Sequence, residues 1–546
     1  MLVMPVVPRS AARGPAPVNA TTGDAVPTGC HPGPVRRLLP VVLALLLTGA
    51  CTTAVPGTAV PGSVEQRGPV GPVPAGLDRF HAQPLTWRDC RPFGTNDVAR
   101  GVFGKRTLQC ATLTVPLDYA KPQARTVELG VLRRQAAKPD QRIGALVVNP
   151  GGPGASGMEA AAGLGARNKG TEVTDRFDLV GFDPRGVGFS GPDVVCLTAA
   201  ETDALRSAPP VTDVAGYEAQ SRDYAAKCAE RSGGAEVLGN IGTREVARDL
   251  DVLRSALGEP KLTYVGYSYG TRLGTAYAEA FPGNVRAMVL DGAVDPERGV
   301  VDQVIGQYHG FDQALDAFLI WCRGTGTCTV RDRKTLMALI GRVHASPVAV
   351  GDRRITGLDA TRAITASLYS PLTWQPLSDA IDALDAGDGT ALLEMADSSY
   401  GRQPDGGYSG ATDALIAVRC ADDERVTDRA ALLPAVEGTR GTFLAAAQPV
   451  LPALDPCAFW PAPATATPHK PRVDGIPPLL VISTSGDPAT PYLAGVNLAE
   501  DLKATLLTFS ATQHTVFLQG NTCVDTIGAA YLVNGTLPAP GTTCTP

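Results

Sequence analysis

Residues that commonly bind metal ions are scarce in this sequence and do not occur in the usual spacings. There are six histidines among 546 residues, and no two of the 12 cysteines stand in a Cys-x-x-Cys arrangement. Zinc sites draw their ligands from such cysteine and histidine clusters. We therefore expect no metal site, and no residue pattern calls for an organic cofactor.

The chain also lacks an excess of positive charge. Its formal net charge is −6, and it becomes −9 without residues 1–50, which hold four arginines and one aspartate. Nucleic acid is therefore not an expected partner, because contact with the phosphate backbone requires a basic face. Hydrophobic residues make up 44% and charged residues 19% of the chain, which is typical of a globular enzyme rather than a disordered protein.

No apolar segment at the N-terminus is long enough to span a membrane. The run Leu38–Leu47 has about ten residues, which suits the central region of a signal peptide but not a transmembrane helix. Arg36 and Arg37 precede it, as basic residues precede the apolar region of signal peptides. We predict that residues 1–50 are a signal peptide.

Small residues lead from this apolar run to Cys51 and resemble a bacterial lipobox, although Thr48 stands where leucine is most common. We predict that Cys51 is lipidated. Residues 51–84, rich in Pro, Gly, Val and Ala, would then form a tether that holds the protein at the outer face of the cell membrane. The alternative is an ordinary secretory signal cut near Ala50, which would give a secreted protein.

The cysteines support export to an oxidising compartment. Without Cys30 and Cys51, ten remain, and they fall into neighbouring pairs along the chain. Disulfides between sequence neighbours are the simplest prediction, although spacing alone does not determine connectivity. The pairs are Cys90 and Cys110, Cys196 and Cys228, Cys322 and Cys328, Cys420 and Cys457, and Cys523 and Cys544.

The first half of the exported chain alternates short apolar runs with segments long enough for helices. A hairpin is predicted over Thr112–Val115 and Thr126–Gln135. Buried strands at Ile143–Asn149, Phe177–Asp183, Leu262–Gly266 and Val285–Asp291 follow, with a one-sided apolar helix at Thr243–Leu257. Repeated strand–helix–strand units predict an α/β fold, with a mostly parallel sheet and helices on both faces.

The pattern changes after about Pro296. Helices are predicted at Val304–Trp321, Lys334–His344 and Ala360–Leu368, and strands return only at Pro478–Ser483 and Ala504–Phe509. A helical insertion between two strands is typical of a cap over an active site. We therefore predict a first core part at 85–296, a large helical cap at 297–470 and a second core part at 471–546.

The segment Gly266-Tyr267-Ser268-Tyr269-Gly270 joins a predicted strand to a helix expected at Thr271–Ala280. In this Gly-x-Ser-x-Gly turn the serine oxygen projects from the sheet, and the glycines avoid clashes with neighbouring backbone. The five residues alone could arise by chance in a glycine-rich chain, whereas a flanking strand and helix make them specific. They predict that Ser268 is a nucleophile and that the Tyr269 N–H faces the developing oxyanion.

A second glycine-rich loop, Asn149–Gly154, directly follows a buried strand. Its consecutive glycines allow backbone N–H groups to approach a substrate oxygen, which would complete an oxyanion hole. We expect the Gly152 N–H to be this donor, with Gly151 as the second candidate. The alternative is a loop that is merely flexible.

Asp487 and His514 are the predicted partners of Ser268. Asp487 follows the first strand after the insertion, and His514 is the only histidine beyond it, which agrees with the chain order Ser, Asp, His. Thr490 could hold the Asp487 carboxylate by a hydrogen bond. Asp291, at the end of an earlier predicted strand, is the alternative acid.

From about residue 85 to the C-terminus, the chain resembles the actinobacterial tripeptidyl aminopeptidases and their mycobacterial carboxylesterase and protease relatives, which are prolyl-aminopeptidase-like α/β-hydrolases. The matching segments are Asn149–Gly154, Asp183–Ser190, Gly266–Gly270, Val418–Asp422 and Gly486–Pro491. The chain departs from the family at Pro150, where relatives have histidine. It departs again at Gln513-His514-Thr515, where relatives often have Gly-His-Gly.

This resemblance implies an α/β-hydrolase fold with a cap, and an enzyme that releases a short peptide from a free N-terminus. Such an enzyme needs an acidic group for the substrate ammonium. Asp422 and Asp423 lie in the matching cap segment, and solvated acids at a helix end are an equally good interpretation of them. Two rival functions remain: a carboxylesterase or lipase with the same three residues, and a catalytically inactive binding lipoprotein.

Overall fold

The computed structural model describes residues 64–65 and 69–546. The predicted signal peptide, Cys51, and residues 52–63 and 66–68 of the predicted tether lie outside the described residues. Among the helices that are described, none combines the length and the apolar character needed to cross a membrane.

Short strands recur along the whole described part of the chain. They are β1 (Val64–Glu65), β2 (Leu85–Thr86), β3 (Gln109–Pro116), β4 (Thr126–Arg134), β5 (Gly144–Asn149), β6 (Phe177–Phe182), β7 (Leu262–Tyr267), β8 (Val285–Asp291), β9 (Val348–Val350), β10 (Arg353–Ile355), β11 (Leu480–Thr484), β12 (Thr505–Phe509) and β13 (Thr543–Cys544).

Helices fill most of the intervals between these strands. They are α1 (Asp78–His81), α2 (Asp97–Phe103), α3 (Gly157–Arg167), α4 (Glu172–Arg176), α5 (Ala199–Ser207), α6 (Val214–Arg231), α7 (Gly234–Leu238), α8 (Thr243–Ala256), α9 (Tyr269–Ala280), α10 (Val300–Thr325), α11 (Arg333–Ala345), α12 (Gly357–Ser367), α13 (Trp374–Asp385), α14 (Thr390–Tyr400), α15 (Ala411–Asp422), α16 (Leu433–Gly438), α17 (Phe443–Ala447), α18 (Tyr492–Asp501) and α19 (Thr522–Asn534).

Nine of these strands form one sheet in the order β13-β12-β11-β8-β7-β5-β6-β4-β3. The β3–β4 and β4–β6 pairs are antiparallel, and all other neighbours are parallel. The predicted α/β fold with a mostly parallel sheet is therefore confirmed. Strands β7, β8, β11 and β12 are consecutive in this order, so their carboxyl ends lie side by side at one edge.

Helices cover both faces of the sheet, as the apolar strands predict. Residues of β5 and β7 are buried throughout, and alternate side chains enter two separate apolar clusters. Val147 and Tyr264 pack with α8 and α9 on one face. Val148 and Val265 pack with α3 and α19 on the other face. Burial on both faces explains why these strands have continuous apolar runs rather than alternating patterns.

The insertion between β8 and β11 has its own apolar core. Helices α10–α14 and α17 pack around Phe311, Phe318, Leu336 and Trp374. The predicted cap helices are confirmed, and the insertion also contains the β9–β10 hairpin, which the sequence did not predict. Strands of two or three residues, such as β9, β10 and β13, are too short to show a recognisable alternation of polar and apolar residues.

All five predicted disulfides between sequence neighbours are present. They join Cys90 to Cys110, Cys196 to Cys228, Cys322 to Cys328, Cys420 to Cys457, and Cys523 to Cys544. Cys420 lies in α15, close to the predicted substrate-binding residues, so its disulfide fixes the end of that helix to residues 456–459.

A buried arginine connects the hairpin, the sheet and α8. Arg185 donates to both carboxylate oxygens of Asp249, at 2.6 and 2.8 Å. It also donates to the carbonyl oxygens of Pro116, Leu117 and Asn240. Neither charged side chain is exposed to solvent. Burial of these charges is tolerated because each of the five guanidinium donors has an acceptor.

We predict that Arg185→Met destabilises the protein by about 3–5 kcal/mol, because it leaves the Asp249 carboxylate buried without its cation. The measurement is the midpoint of urea unfolding with the disulfides intact. Arg100→Met is the control, because Arg100 pairs with Asp97 on the surface and such pairs contribute little. Equal midpoints for the two variants would contradict the prediction.

Candidate active site

Ser268 occupies a strained turn between β7 and α9. Its backbone has φ 56° and ψ −125°, a region that residues other than glycine rarely adopt. A Cβ at Gly266 would lie 2.3 Å from the Gly270 carbonyl oxygen, and one at Gly270 would lie 2.8 Å from the Asn149 carbonyl oxygen. The close approach of backbone around Ser268 therefore requires both glycines, as the sequence pattern predicts.

The glycine-rich loop after β5 lies against Ser268. A Cβ on Gly151 would be 2.9 Å from the Ser268 Cβ and 3.1 Å from the Tyr269 nitrogen. The Gly151 N–H donates to the Asn149 side chain at 3.0 Å. Among the described residues, no acceptor is found for the Gly152 N–H. The loop thus brings together all three predicted oxyanion-hole residues, Gly151, Gly152 and Tyr269.

Asp487 and His514 form a buried pair at the neighbouring strand ends. The His514 Nδ1 lies 2.8 Å from both carboxylate oxygens of Asp487, and neither side chain is exposed. Thr490 donates its hydroxyl to Asp487 at 3.0 Å, and the Ala489 and Thr490 N–H groups donate to the same carboxylate at 2.9 Å. These contacts fix the carboxylate opposite one edge of the imidazole.

Asp291, the alternative acid in the sequence, lies at the end of β8 but does not contact the His514 ring nitrogens. One carboxylate oxygen accepts the N–H groups of Val516 and Phe517, at 2.7 and 2.8 Å. The other oxygen is buried and has no hydrogen-bond partner among the described residues. Burial raises the pKa of this carboxyl to about 7. The acid that contacts His514 is therefore Asp487.

Two cap residues also contact the loops that carry this pair. The backbone N–H of His514 donates to the carbonyl oxygen of Tyr369 at 2.8 Å. The imidazole and the Tyr369 ring also meet edge to face, with centroids 5.2 Å apart. The side-chain amide of Gln307 in α10 donates to the Ala489 carbonyl oxygen at 3.2 Å. Sequence reasoning missed both residues, because no local pattern links them to positions more than 140 residues away.

Asp422 and Asp423 form hydrogen bonds and an ion pair with neighbouring side chains. Asp422 is buried, and its two oxygens accept the N–H and the hydroxyl of Thr243, at 2.7 and 2.5 Å. Thr243 in turn lies 2.6 Å from the Tyr269 hydroxyl. Asp423 pairs with Arg272 at 2.6 Å. Burial raises the pKa of Asp422 to about 6. Their role in binding a substrate ammonium stays a prediction.

These two aspartates line a cavity of about 720 Å³ between α8, α9 and the cap segments 422–428 and 465–469. Ser268, Asp487 and His514 do not line it. Thr243 and the Tyr269 side chain form a chain of hydrogen bonds from Asp422 to the residue after Ser268. Among the described residues, no cluster of three or more His, Cys, Asp or Glu side chains is arranged to hold a metal ion.

Comparisons with known proteins agree with this architecture. Residues 144–339 match the family model described as alpha/beta hydrolase fold, and residues 445–544 match the one described as TAP-like protein. Serine protease Hip1 of Mycobacterium tuberculosis is 39% identical over 487 residues, covering 85% of this chain and 91% of the relative.

Two further relatives are named for other activities. Carboxylesterase B of Mycobacterium tuberculosis is 40% identical over 528 residues, covering 93% of this chain and 99% of the relative. Tripeptidyl aminopeptidase of Streptomyces coelicolor is 31% identical over 497 residues, covering 85% of this chain and 86% of the relative. The predicted resemblance is confirmed: the chain belongs to this family of α/β-hydrolases and is a serine hydrolase with peptidase or esterase activity.

Proposed function

We propose that the protein is an exported serine peptidase that hydrolyses peptides near a free N-terminus through an acyl-enzyme. Ser268 is the nucleophile, His514 the general base and Asp487 the acid that orients it. The observation that carries this proposal is the buried contact of the His514 Nδ1 with Asp487, at 2.8 Å. These two residues follow β12 and β11, and β8 alone separates β11 from β7, the strand that leads to Ser268.

In the proposed mechanism the Ser268 hydroxyl attacks the scissile carbonyl carbon while the His514 Nε2 takes its proton. The N–H groups of Tyr269 and Gly152 stabilise the oxyanion. His514 then donates the proton to the leaving amine, which departs and leaves an ester on Ser268. Water, deprotonated by His514, attacks this ester and releases the N-terminal peptide.

The protonation of His514 required by this mechanism has structural support. Because Nδ1 faces two carboxylate oxygens, it carries the proton of the neutral ring, and Nε2 is left as an acceptor. The Nε2 atom is buried and has no hydrogen-bond partner among the described residues. A general base needs such a free lone pair.

The donors of the proposed oxyanion hole have similar support. The Gly151 N–H is used within its own loop, which favours Gly152 as the donor from that side. The Tyr269 N–H belongs to the first turn of α9, whose N–H groups have no acceptor inside the helix. A helix N-terminus also stabilises negative charge.

Peptide cleavage near a free N-terminus is supported by the relatives named serine protease and tripeptidyl aminopeptidase. We propose Asp422 and Asp423, which line the cavity beside α9, as the groups that attract the substrate ammonium. The second candidate is a carboxylesterase with the same three residues, favoured by the relative named carboxylesterase B.

Export is proposed from the leader sequence, with Cys51 as the lipid-bearing residue and the outer face of the cell membrane as the location. The five disulfides support an oxidising compartment. A secreted protein without the lipid is the alternative. Mass spectrometry of the N-terminal peptide, which identifies a diacylated Cys51 or its absence, separates the two.

Incubation of the pure enzyme with a mixed peptide library tests the proposed function. We expect short N-terminal peptides as products, faster turnover of free than of N-acetylated peptides, and labelling of Ser268 by a fluorophosphonate probe. Ser268→Ala should lower turnover by about 10⁴-fold or more. Ser510→Ala is the control, because this residue lies on the loop after β12 without a proposed role. Hydrolysis of simple esters but no peptide would favour the carboxylesterase, and unchanged turnover in Ser268→Ala would contradict both.

The hypothesis that Asp422 and Asp423 bind the substrate ammonium predicts a change in substrate selectivity rather than in overall rate. Asp422→Asn and Asp423→Asn should each reduce the ratio of kcat/KM for free over N-acetylated peptide by about tenfold, as expected for a lost contact to a charged group. Glu437→Gln, an exposed cap position, is the control. An equal slowing of both substrates would instead mean that Asp422 only supports Thr243 and that Asp423 only supports Arg272.

The loop that carries Asp487 depends on a close approach by the cap. Gly310 of α10 lies so near that a Cβ there would be 2.5 Å from the Pro488 carbonyl oxygen and 3.2 Å from that of Asp487. Both atoms belong to the backbone, so the clash could be relieved only by moving the helix or the loop. The position of the proposed acid therefore depends on the absence of a side chain in the cap.

We predict that Gly310→Ala lowers kcat on the order of tenfold to a hundredfold, because small displacements of reacting groups have effects of this size. The matched control is Gly324→Ala in the same helix, where an added Cβ has no heavy atom within 4 Å. Peptide hydrolysis and the thermal midpoint are measured for both variants. Equal kcat values for the two would show that the loop adjusts without displacing Asp487.

A further inference from the structure

The carboxylate of Asp291 is buried beside the site, and the proposed mechanism does not use it. Asp291 pairs with Tyr267 at the last aligned position of β7 and β8. The Ser268 N–H donates to the Asp291 carbonyl oxygen at 2.9 Å, and the next residue, Gly292, donates to Ile482 in β11. The main chain at Asp291 thus contacts the elements that carry Ser268 and Asp487.

The side chain of Asp291 contacts the third element, the loop that carries His514. A single oxygen accepts two successive N–H groups, those of Val516 and Phe517. Thr515, directly before these two donors, has φ +59°, in the left-handed region. This conformation is unfavourable for a β-branched residue, so the loop needs a strong acceptor to keep it.

The His514 ring rests on the backbone next to Asp291. A Cβ on Gly292 would lie 3.1 Å from the His514 Cε1 and 3.2 Å from the Thr490 hydroxyl. The ring therefore lies against Gly292, and in the chain His514 stands two residues before Val516, which Asp291 binds. A shift of residues 515–517 would move the ring directly.

We propose that Asp291 is a positioning residue for His514: its carboxylate holds the backbone of Val516 and Phe517, next to the left-handed Thr515, and so directs the imidazole between Asp487 and Ser268. This inference rests on the proposed function, because it assigns the purpose of the contact to the general base. It differs from the sequence alternative in which Asp291 itself would pair with the imidazole.

The charge of Asp291 contributes in the same direction. The titratable groups that face it are His514 and Asp487, from the loops after β12 and β11, and Tyr267 from β7. Burial raises the pKa of Asp291, the charge of Asp487 raises it further, and protonated His514 lowers it. Because this last interaction is mutual, an ionised Asp291 stabilises the imidazolium that forms on His514 during the reaction.

Two substitutions separate the hydrogen bonds from the charge. Asp291→Leu removes both, and Asp291→Asn removes the charge but retains an oxygen that can accept both N–H groups. We expect Asp291→Leu to lower kcat about a hundredfold with KM changed less than twofold, and Asp291→Asn to recover most of this loss.

Asp525 provides the matched control. It is a second partly buried carboxylate that accepts N–H groups of the same loop, those of Leu518 and Gly520, farther from His514. We expect Asp525→Leu and Asp525→Asn to change kcat less than threefold. If the Asp525 variants lower kcat as much as the Asp291 variants do, Asp291 only stabilises the loop in general, and the proposal is overturned.

The outcomes are distinguishable from a failure of the proposed function. If Ser268→Ala remains active, the nucleophile is wrong whatever the Asp291 variants do. If Ser268→Ala is inactive, wild-type kcat in folded Asp291→Leu would overturn this inference alone. Should Asp291→Leu fail to fold, the smaller Asp291→Ala, which also lacks the acceptor, decides, and wild-type kcat in folded Asp291→Ala overturns the proposal.

Discussion

The hydrogen bond from the Ser268 N–H to the Asp291 carbonyl oxygen determines where the proposed nucleophile leaves the sheet. It extends the pairing of β7 and β8 by one residue beyond Tyr267 and Asp291, so the chain must turn immediately into α9. That turn is available to Ser268 only at an unfavourable φ, and the glycines on either side leave room for it. Because β8 and β11 are also neighbours, the same strand end fixes the distance from Ser268 to the loop of Asp487.

The cap does more than cover this edge of the sheet. Ala489, two residues after Asp487, is part of the apolar core of the cap, and the Tyr369 carbonyl oxygen accepts the backbone N–H of His514. Residues of the insertion thus complete the environment of both the acid and the base. A rigid-body opening of the whole insertion would expose Ala489 and break the bond to His514, so it would disturb the groups that perform the chemistry. Access of substrate by movement of other cap segments, away from α10 and Tyr369, avoids this cost.

Local sequence patterns were sufficient for most strands of the sheet and for the turn at Ser268, and they pointed to Asp487 and His514, which the structure brings into contact. The strands β5 to β8 are continuous apolar runs, the Gly-x-Ser-x-Gly spacing has a steric cause, and a single histidine follows Asp487. The contacts that complete the site have no such pattern. Thr243 and Asp422 are 179 residues apart, and Asp291 and Val516 are 225 apart. Asp422 looked like a solvated acid at a helix end because nothing near it in sequence indicates that Thr243 buries it.

Three buried aspartates near the site differ in their hydrogen-bond donors, and this difference bears on which of them orients the base. Asp487 accepts from two N–H groups, one hydroxyl and the imidazole. Asp291 and Asp422 accept from two donors each, and burial raises the pKa of both carboxyls, to about 7 and about 6. Hydrogen-bond donors compensate a buried carboxylate for the loss of hydration, so Asp487, which has the largest number of donors, is the best accommodated of the three beside His514. A protonated Asp291 could not stabilise an imidazolium, whereas an ionised Asp291 that is held away from the ring nitrogens adds to the field of Asp487 without competing for the same proton.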